Sequence, residues 1–492
     1  LSITVKKTAM TSLQNVPFLL SLSSVALVLL LLANLPIPSA SSSPSLRHLS
    51  QNLTSIHFIG DLHADVHCAK QWVERTNLVN LTTTPYQWIG PPDTSALVFL
   101  GDYVDKGSTS AAVLQFVQSL QQTFPNNVLT ILGNHDFFLV LDTALSFSAD
   151  HPHPLGTPFY DYAYSFMHPE EYLESEWTPE RDDDVELMGS MLSALQYVYD
   201  GQMQGSVHLC APHCDKDQRD IFDSASGIPP YNTNLPLAQR ASERLYTWRK
   251  EYAHGLYESG LLQWLTSQPL IAVVGDALIV HGGLSDRVVN HLSSVSERMD
   301  VSVHDALHKF TNEAFSAFFE EQWEKVTGAN SIVERMTENF SFEIILDMVQ
   351  HRGYFDPQKG CRDVDRVIRA IDSSYGELKG VNRIVVGHTP HDYAHERCGG
   401  RLLASDSSLS RTFRAHGNMY CPISERMVEG YGGKSVTCEK RHDEVCEGSI
   451  SMIRRSSPEE DWPRSVTRMK HDEFDNKNER GGGSLSEDSS DD

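Results

Sequence analysis

The sequence is poor in positive charge. It contains 40 Lys and Arg residues against 65 Asp and Glu residues, which gives a formal net charge of −25. Nucleic-acid backbones are bound through clustered Lys and Arg side chains, so this balance argues against nucleic acid as a ligand. A small phosphate ester or a phosphoprotein remains open, because such a ligand needs only one local positive site. Bound metal ions can supply that site.

The sequence also lacks the C-x2-C spacing of a zinc-ligand pair among its eight cysteines. Their even number is compatible with disulfide pairing in an oxidising compartment. The connectivity stays open, because spacing alone does not define it. The pairs closest in sequence are Cys210/Cys214, Cys398/Cys421 and Cys438/Cys446.

A single long apolar run occupies the region from Pro17 to Ala33. Two lysines precede it and a stretch of small residues follows it, which is the order of a signal peptide over residues 1–40. An uncleaved membrane anchor and a buried helix are the alternatives. A signal peptide predicts a glycoprotein of the secretory pathway, secreted or lumenal. An uncleaved anchor would also attach the protein to the membrane. Acceptor triplets for glycosylation begin at Asn52, Asn80 and Asn339.

The region after a polar linker, residues 41–54, alternates between apolar runs and helical periodicity. The runs Ile56–Gly60, Ala96–Leu100 and Val128–Leu132 each end in a loop that carries Asp, Asn or His. Helical stretches at Val66–Asn77 and Ala111–Phe124 separate them. This order predicts βαβ units and a largely parallel sheet. In such sheets ligands bind beyond the carboxyl ends of the strands, where these polar loops lie.

Two segments interrupt this pattern within a predicted domain of residues 55–430. Residues of about 145–245, rich in Tyr, Pro and acidic side chains, are interpreted as an insertion that can cover a pocket. Residues of about 301–350 are interpreted as a helical insertion. Strand-like runs return at Ile271–Val274, Ala277–Val280 and Ile384–Val386. Residues 440–492 are charged and Gly/Ser-rich, which predicts a disordered acidic tail.

Chemistry-bearing side chains cluster in five short motifs. These are Gly60-Asp61-Leu62-His63, Gly101-Asp102-Tyr103-Val104-Asp105-Lys106-Gly107, Gly133-Asn134-His135-Asp136, His281-Gly282-Gly283 and Gly387-His388-Thr389-Pro390. Each motif alone is weak, since a strand-end Asp often caps a helix and a lone His is often structural. Their joint occurrence, three of them at consecutive strand ends, predicts one shared site.

The residue types in these motifs are those of a two-metal centre. Two cations about 3.5–4 Å apart need a bridging anion, and Asp102 suits that position. Asp61 and His63 can turn toward one metal. The second metal is assigned to Asn134, His281 and His388. Mixed nitrogen and oxygen ligands suit Mn, Fe or Zn.

A bridging water in such a centre loses its proton near neutral pH and becomes the nucleophile of phosphate-ester hydrolysis. The leaving group then needs an acid, and His135 can face the substrate. Either Asp105 or Asp136 can hold its imidazole protonated.

With these motifs in order, the sequence resembles the calcineurin-like metallophosphoesterases, in particular their phosphoprotein-phosphatase branch. Within it the sequence is most similar to the Shewanella-like protein phosphatases, on the stretches around His281–Leu284, His351-Arg352-Gly353-Tyr354 and Val385–Pro390. The resemblance implies a four-layer α/β/β/α sandwich with helical insertions. It also implies the same six metal ligands, His135 as general acid and Asp105 as its support.

The same resemblance assigns substrate phosphate to Lys106 and Arg352. The family usually has Arg where this chain has Lys106, and a lysine is a point charge without the bidentate geometry of arginine. Ala64, where Gly is commoner, is a smaller departure. His391 is a further candidate ligand, although the Pro390 turn moves it away.

The predicted function is metal-dependent hydrolysis of phosphate monoesters, on phosphoserine, phosphothreonine or phosphotyrosine of phosphoproteins. The alternative is a small-molecule or dinucleotide-polyphosphate phosphoesterase of the same superfamily. The third hypothesis is an inactive scaffold. Such a protein should have lost a metal ligand, whereas all six ligand-type residues are present in the motifs. Two metal ions per chain are expected as cofactors.

Overall fold

The computed structural model describes residues 52–146, 171, 251–299, 340–372, 380–411 and 446–470. All of these lie in one unit of the chain, Leu46–Asp492. The predicted signal peptide and most of the predicted linker and insertions lie outside the described residues. No helix within the described part is long and apolar enough to cross a bilayer.

Two five-stranded sheets form the centre of the fold. The first has the order β12-β11-β1-β4-β5, and the second has the order β6-β7-β8-β10-β9. A short pair, β2 (Val79–Asn80) and β3 (Gln87–Trp88), forms a separate ribbon. The strands of the first sheet are β1 (Ser55–Ile59), β4 (Ser95–Phe99), β5 (Val128–Thr130), β11 (Ser449–Arg454) and β12 (Thr467–Lys470). Those of the second are β6 (Ile271–Val274), β7 (Ala277–Val280), β8 (Arg383–Val386), β9 (His395–Arg397) and β10 (Leu402–Ala404).

Each sheet contains three consecutive parallel strands, and its remaining strands are antiparallel. Strand β4 pairs in parallel with β1 and β5. Strand β8 does the same with β7 and β10. Strands β11, β12, β6 and β9 run antiparallel to their neighbours. The prediction of a largely parallel sheet therefore holds for the strands that end at the motifs.

Alternate residues of the strands separate two apolar layers. Ala96 and Val98 of β4, with Ala277 and Ile279 of β7, belong to a core between the two sheets. Leu97, the intervening residue on β4, belongs to the core on the helical side instead. Because successive strand side chains point to opposite faces, the sheets pack face to face with helices outside. The predicted α/β/β/α sandwich is confirmed.

The helices of the described part begin close to where their apolar periodicity begins. Helix α1 (Val66–Arg75) buries Cys68, Ala69, Trp72 and Val73, one stripe of the helix, and the Asp65 side chain accepts a hydrogen bond from Cys68 N at 3.1 Å. This contact caps the first turn. The other helices are α2 (Ser110–Thr123), α3 (Asn134–Ser146), α4 (Leu261–Thr266), α5 (Asp286–Met299), α6 (Phe340–Gln350) and α7 (Gly360–Asp372), with a 3₁₀ turn at Gly353–Phe355.

Two disulfides join distant parts of the described chain. Cys68 on α1 pairs with Cys446, just before β11, and Cys361 on α7 pairs with Cys398, just after β9. Neither pairing joins cysteines that are close in sequence. The fold brings them together, so spacing could not have identified them.

The predicted disordered tail is wrong for residues 446–470. Strand β11 pairs with β1 over four residues, and Ile453 lies in the core between the sheets. The sequence of this segment is polar because it contains serines, but the fold buries them with hydrogen-bond partners. Ser449 Oγ accepts from Ala394 N at 2.9 Å, and Ser451 Oγ lies 3.2 Å from Ser405 Oγ. Leu53, within the predicted linker, is also buried. The rest of the predicted tail lies outside the described residues.

A substitution in β11 tests whether this segment is a core strand or a disordered tail. Ile453→Ala should lower the free energy of unfolding by about 2–4 kcal/mol, because it leaves a cavity between the sheets. Arg454→Ala, at the exposed next residue, should change it by less than about 0.5 kcal/mol. Urea denaturation measures both. Equal stability of the two variants would contradict the placement of β11.

Candidate metal centre

Six strands carry a polar residue just beyond their carboxyl ends, and these residues meet at one edge of the sandwich. Asp61, Asp102 and Asn134 follow strands β1, β4 and β5 of the first sheet. His281, His388 and Asp406 follow strands β7, β8 and β10 of the second. All six side chains are buried. The first five are predicted ligands, while Asp406 was not identified from the sequence.

Asp102 is the meeting point of three histidines. Its Oδ2 lies 3.2 Å from His281 Nε2, 3.8 Å from His135 Nε2 and 4.0 Å from His63 Nε2. Burial opposes the charge on Asp102, yet His281 and His135 bring the pKa of this carboxyl well below its usual range. Asp102 therefore carries negative charge in an interior that is otherwise costly for charge.

Two of these histidines are oriented by backbone carbonyls. His281 Nδ1 lies 2.6 Å from Leu100 O, and His63 Nδ1 lies 3.3 Å from Val104 O. With Nδ1 placed at a backbone carbonyl, Nε2 is the nitrogen of each ring that faces Asp102. This arrangement is the usual one for metal-binding histidines. Burial and the neighbouring His135 lower the pKa of His63 to about 3, which keeps its ring neutral, as a ligand must be.

Asn134 and His388 complete the second group. Asn134 Oδ1 lies 3.0 Å from His281 Nε2 and 2.8 Å from His388 Nδ1. Burial, with His281 nearby, lowers the pKa of His388 to about 3. The Nε of Arg352 donates to His388 Nε2 at 3.1 Å, which places that guanidinium at the rim of the site.

The donor set fits two divalent cations that share a carboxylate. Ligand-type atoms within 4.8 Å of one another form two groups, His63–Asp102–His135 and Asp102–His281–His388, and both contain Asp102. The groups combine imidazole nitrogen and carboxylate oxygen, the mixture preferred by Mn, Fe and Zn. Asp61 is outside these two groups, and its Oδ2 accepts a hydrogen bond from the backbone N of His388 at 3.1 Å. The presence of His135 in the first group was not predicted.

His135 is held by Asp105 and not by Asp136. Its Nδ1 lies 2.7 Å from Asp105 Oδ2, which also pairs with Lys106 Nζ at 3.1 Å. Asp136 turns the opposite way and accepts from the backbone N atoms of Gly133, Asp102 and Tyr103 at 2.7–2.9 Å. It thereby ties two motif loops together. Burial, with Asp102 nearby, raises the pKa of Asp136 to about 7.

Backbone strain is concentrated at the site. His63, Ala64, Asp102, Asp105, Lys106 and His388 all have positive φ, between +39° and +69°. Such conformations cost about 1–3 kcal/mol each in non-glycine residues and cluster at functional sites. The positive φ at Ala64 (+54°) explains why a glycine is commoner in the resembled family at this position.

A glycine is required at Gly387 for a different reason. A Cβ at this position would lie 2.5 Å from Asp61 Oδ1 and 3.2 Å from His281 Nδ1. The absence of a side chain thus allows the carboxylate of the first sheet to approach the histidine of the second.

Asp406 is the functional candidate that motif reading missed. Its carboxyl shares a hydrogen bond with that of Asp61, and burial raises the pKa of Asp406 to about 6. Burial and the neighbouring Asp406 also raise the pKa of Asp61. The available signal was the apolar run Leu402–Ala404 followed by Ser405-Asp406, the same strand-then-acid pattern without a glycine.

Arg411 fastens the loop after Asp406 to the loop after Asp61. Its Nε donates to Asp65 Oδ2 at 2.8 Å, and its second guanidinium nitrogen donates to Asp65 Oδ1 at 3.0 Å. Asp65 is also the cap of α1, so one carboxylate fixes both loops beside the site.

His391 does not join the candidate ligands among the described residues. Its ring lies 5.1 Å from the Phe355 ring and 4.3 Å from the His395 ring, between centroids. This placement agrees with the expectation that the Pro390 turn moves it away.

Comparisons with known proteins define the class. Residues 54–203 match the family model described as calcineurin-like phosphoesterase. This match covers the first three motifs, and the predicted resemblance to that class, a phosphatase-type hydrolase, is confirmed.

Over 358 residues the chain is 21% identical to Shewanella-like protein phosphatase 2 of Arabidopsis thaliana, covering 72% of this chain and 71% of that protein. Among solved structures, a cold-active protein-tyrosine phosphatase of a psychrophilic Shewanella species is 15% identical with a TM-score of 0.38, covering 87% and 83% of the two chains. A protein serine/threonine phosphatase from Saccharomyces cerevisiae is 11% identical with a TM-score of 0.33, covering 86% and 84%. Neither TM-score is high enough to establish a shared fold.

We predict that Asp406 supports metal binding through Asp61. Asp406→Ala removes the shared hydrogen bond, and loss of such a supporting contact should weaken metal affinity about tenfold. Metal content at equilibrium with buffered Mn²⁺, measured by elemental analysis, tests this. Glu74→Ala, which removes an exposed carboxylate on α1, is the control and should bind metal normally. Unchanged metal content in Asp406→Ala would contradict the role.

Proposed function

We propose that the protein is a metal-dependent phosphatase that hydrolyses phosphate monoesters on phosphoproteins. The observation that carries the proposal is the convergence of two carbonyl-oriented histidines, His63 and His281, on the buried carboxylate of Asp102. The name of the Arabidopsis relative supports a phosphoprotein as substrate.

In this proposal Asp61, His63 and Asp102 hold one cation, and Asp102 shares the second with Asn134, His281 and His388. Two such cations supply Lewis acidity toward water and the phosphoryl oxygens. The proposed metals are Mn, Fe or Zn. Asp102 is the bridging residue because it is common to both groups of ligand-type atoms.

His135 is proposed as the proton donor to the leaving oxygen. Its Nδ1 lies 2.7 Å from Asp105 Oδ2, so Nε2 is the ring nitrogen that is proposed to donate the proton. The Asp105 carboxylate orients the imidazole ring, and a general acid must be positioned in this way to reach the leaving oxygen. Lys106 Nζ, 3.1 Å from the same carboxylate, adds positive charge at this position.

Arg352 and Lys106 are the proposed phosphate-binding residues. The Arg352 Nε donates to His388, and its terminal nitrogens remain for a phosphoryl group. A guanidinium offers paired donors, whereas the Lys106 ammonium acts as a point charge. Lys106 lies in the loop after β4, and Arg352 lies between α6 and the 3₁₀ turn, so the two positive side chains come from distant segments of the chain.

A substrate panel tests the proposal. Protein loaded with Mn²⁺ should release phosphate from phosphoserine, phosphothreonine or phosphotyrosine peptides faster than from nucleotides and dinucleotide polyphosphates. Chelator-treated protein should be inactive and should recover with Mn²⁺ or Zn²⁺. A preference for the nucleotide panel would favour the small-molecule alternative. Inactivity of fully metal-loaded protein on every substrate would favour the hypothesis of an inactive binding scaffold.

The proton-donor role of His135 has a specific signature. A serine alkoxide needs a proton to leave, whereas p-nitrophenolate leaves readily without one. His135→Asn should therefore slow hydrolysis of phosphoserine peptides by about 10²–10⁴-fold and hydrolysis of p-nitrophenyl phosphate far less. Metal content, measured on the same preparation, should be unchanged. Equal losses on both substrates would assign His135 to metal binding or to phosphate positioning.

The secretory pathway is the proposed location. Two disulfides in the described part support an oxidising compartment, and Asn52 of the first acceptor triplet is exposed. We expect the native protein to lose about its first 40 residues and to carry glycans. N-terminal sequencing of protein from its own host measures this. An intact and unglycosylated N-terminus would reject it.

A further inference from the structure

The outer strands β9 and β12, one from each sheet, present a group of basic and aromatic side chains that we call the basic edge. It consists of Tyr393, His395, Arg397, Arg468 and Lys470. Lys470 Nζ lies 4.3 Å and Arg468 Cζ lies 5.9 Å from the centroid of the Tyr393 ring. Tyr393 is 41% exposed, and it is one of the few large hydrophobic side chains described as exposed. The basic edge is thus a surface on which cations lie over an aromatic face.

A row of neighbouring rings links the basic edge to the rim of the metal centre. Arg352, at the rim of the site, is followed three residues later by Phe355. The Phe355 ring lies 5.1 Å from His391, which lies 4.3 Å from His395 of the basic edge. Arg397 Cζ lies 5.4 Å from the Phe355 centroid. A ligand bound at Arg352 therefore has this surface beside it.

The cations of the basic edge have no carboxylate partner among the described residues. None of the ion pairs in the described part of the chain involves Arg397, Arg468 or Lys470. Glu396 on the same strand accepts instead from the backbone N of Val466 at 3.2 Å. Asp392 is the other nearby acid in sequence. In a chain with a net charge of −25, three positive side chains that pair with no acid of the described residues form a local surplus of positive charge.

We propose that the basic edge binds acidic residues that flank the phosphorylated residue of a phosphoprotein substrate. This inference rests on the proposed function and adds a preference to it. An acidic peptide matches the surplus of positive charge, and its backbone can lie along the exposed β9 and β12 edges. Nucleic acid and anionic membranes fit less well, because three cations on a strongly acidic protein are few for a polyanion.

The experiment compares two phosphoserine peptides of equal length, one flanked by Glu and one by Gln. For Mn²⁺-loaded wild-type protein at low salt, kcat/KM should be about tenfold higher for the Glu peptide, as expected for a few exposed charge contacts. In the triple variant Arg397→Gln/Arg468→Gln/Lys470→Gln the ratio should fall to about one. Raising the ionic strength should reduce the wild-type ratio.

Two controls separate this proposal from the proposed function. Lys70→Gln removes a cation that also lies over an aromatic ring, Phe116 at 6.0 Å, but on helices α1 and α2. It should keep the wild-type ratio. Turnover of p-nitrophenyl phosphate should be unchanged in all variants, because this substrate has no flanking residues. Activity on p-nitrophenyl phosphate without activity on any phosphopeptide would refute the phosphoprotein function itself.

Three results would overturn the basic edge as a substrate surface. The first is an unchanged Glu/Gln ratio in the triple variant. The second is an equal loss of p-nitrophenyl phosphate turnover, which would give these residues a structural role. The third is a triple variant that loses binding to anionic lipid vesicles while its peptide preference is retained, which would make the surface a membrane contact.

Discussion

Mutual repulsion of buried carboxylates is the constraint on which the site depends. Asp61, Asp102, Asp105, Asp136 and Asp406 are all buried near the carboxyl ends of the strands. Unpaired charges in such an interior are costly, so each carboxylate must be matched by a cation, a proton or hydrogen-bond donors. Asp102 is matched by histidines, Asp105 by His135 and Lys106, and Asp136 by three backbone N–H groups. Among the described residues, Asp61 and Asp406 are matched by each other and by backbone donors, and burial raises the pKa values of both. A metal cation bound beside Asp61 and Asp406 would offset the repulsion between their carboxylates.

The two packed sheets supply the rigidity that this arrangement requires. Ligand-type residues come from both sheets, and the apolar core between them fixes their separation. His63, Asp102 and His388 keep their positive φ values because each closely follows a strand that is held in a packed sheet. Two further residues help to position the site. Gly387 leaves room for Asp61, and Arg411 joins two loops through Asp65. Loss of packing far from the site should therefore loosen the site as well.

The sequence predicted the motif strands and the convergence of their ends, because apolar runs followed by Asp, Asn or His are local signals. It did not predict β11, because the serines of this strand give it a polar sequence and its pairing with β1 is a contact between distant segments. Asp406 was missed since no glycine precedes it. The disulfides and the position of Asp61 beside His388 depend on contacts between distant segments, for which a single sequence holds no local signal. The residue types alone left Asp105 and Asp136 open as partners of His135, whereas the family resemblance implied Asp105, which is the acid that contacts the ring.

The central claim is that this cluster of buried carboxylates and histidines holds two metal ions around Asp102. Crystals grown with Mn²⁺, with diffraction data collected at the manganese absorption edge, test it most directly. Two anomalous peaks are expected on either side of the Asp102 carboxylate, with His63 beside one and His281 beside the other. A single peak remote from Asp102, or no peak in crystals that bind Mn²⁺ elsewhere, would contradict it.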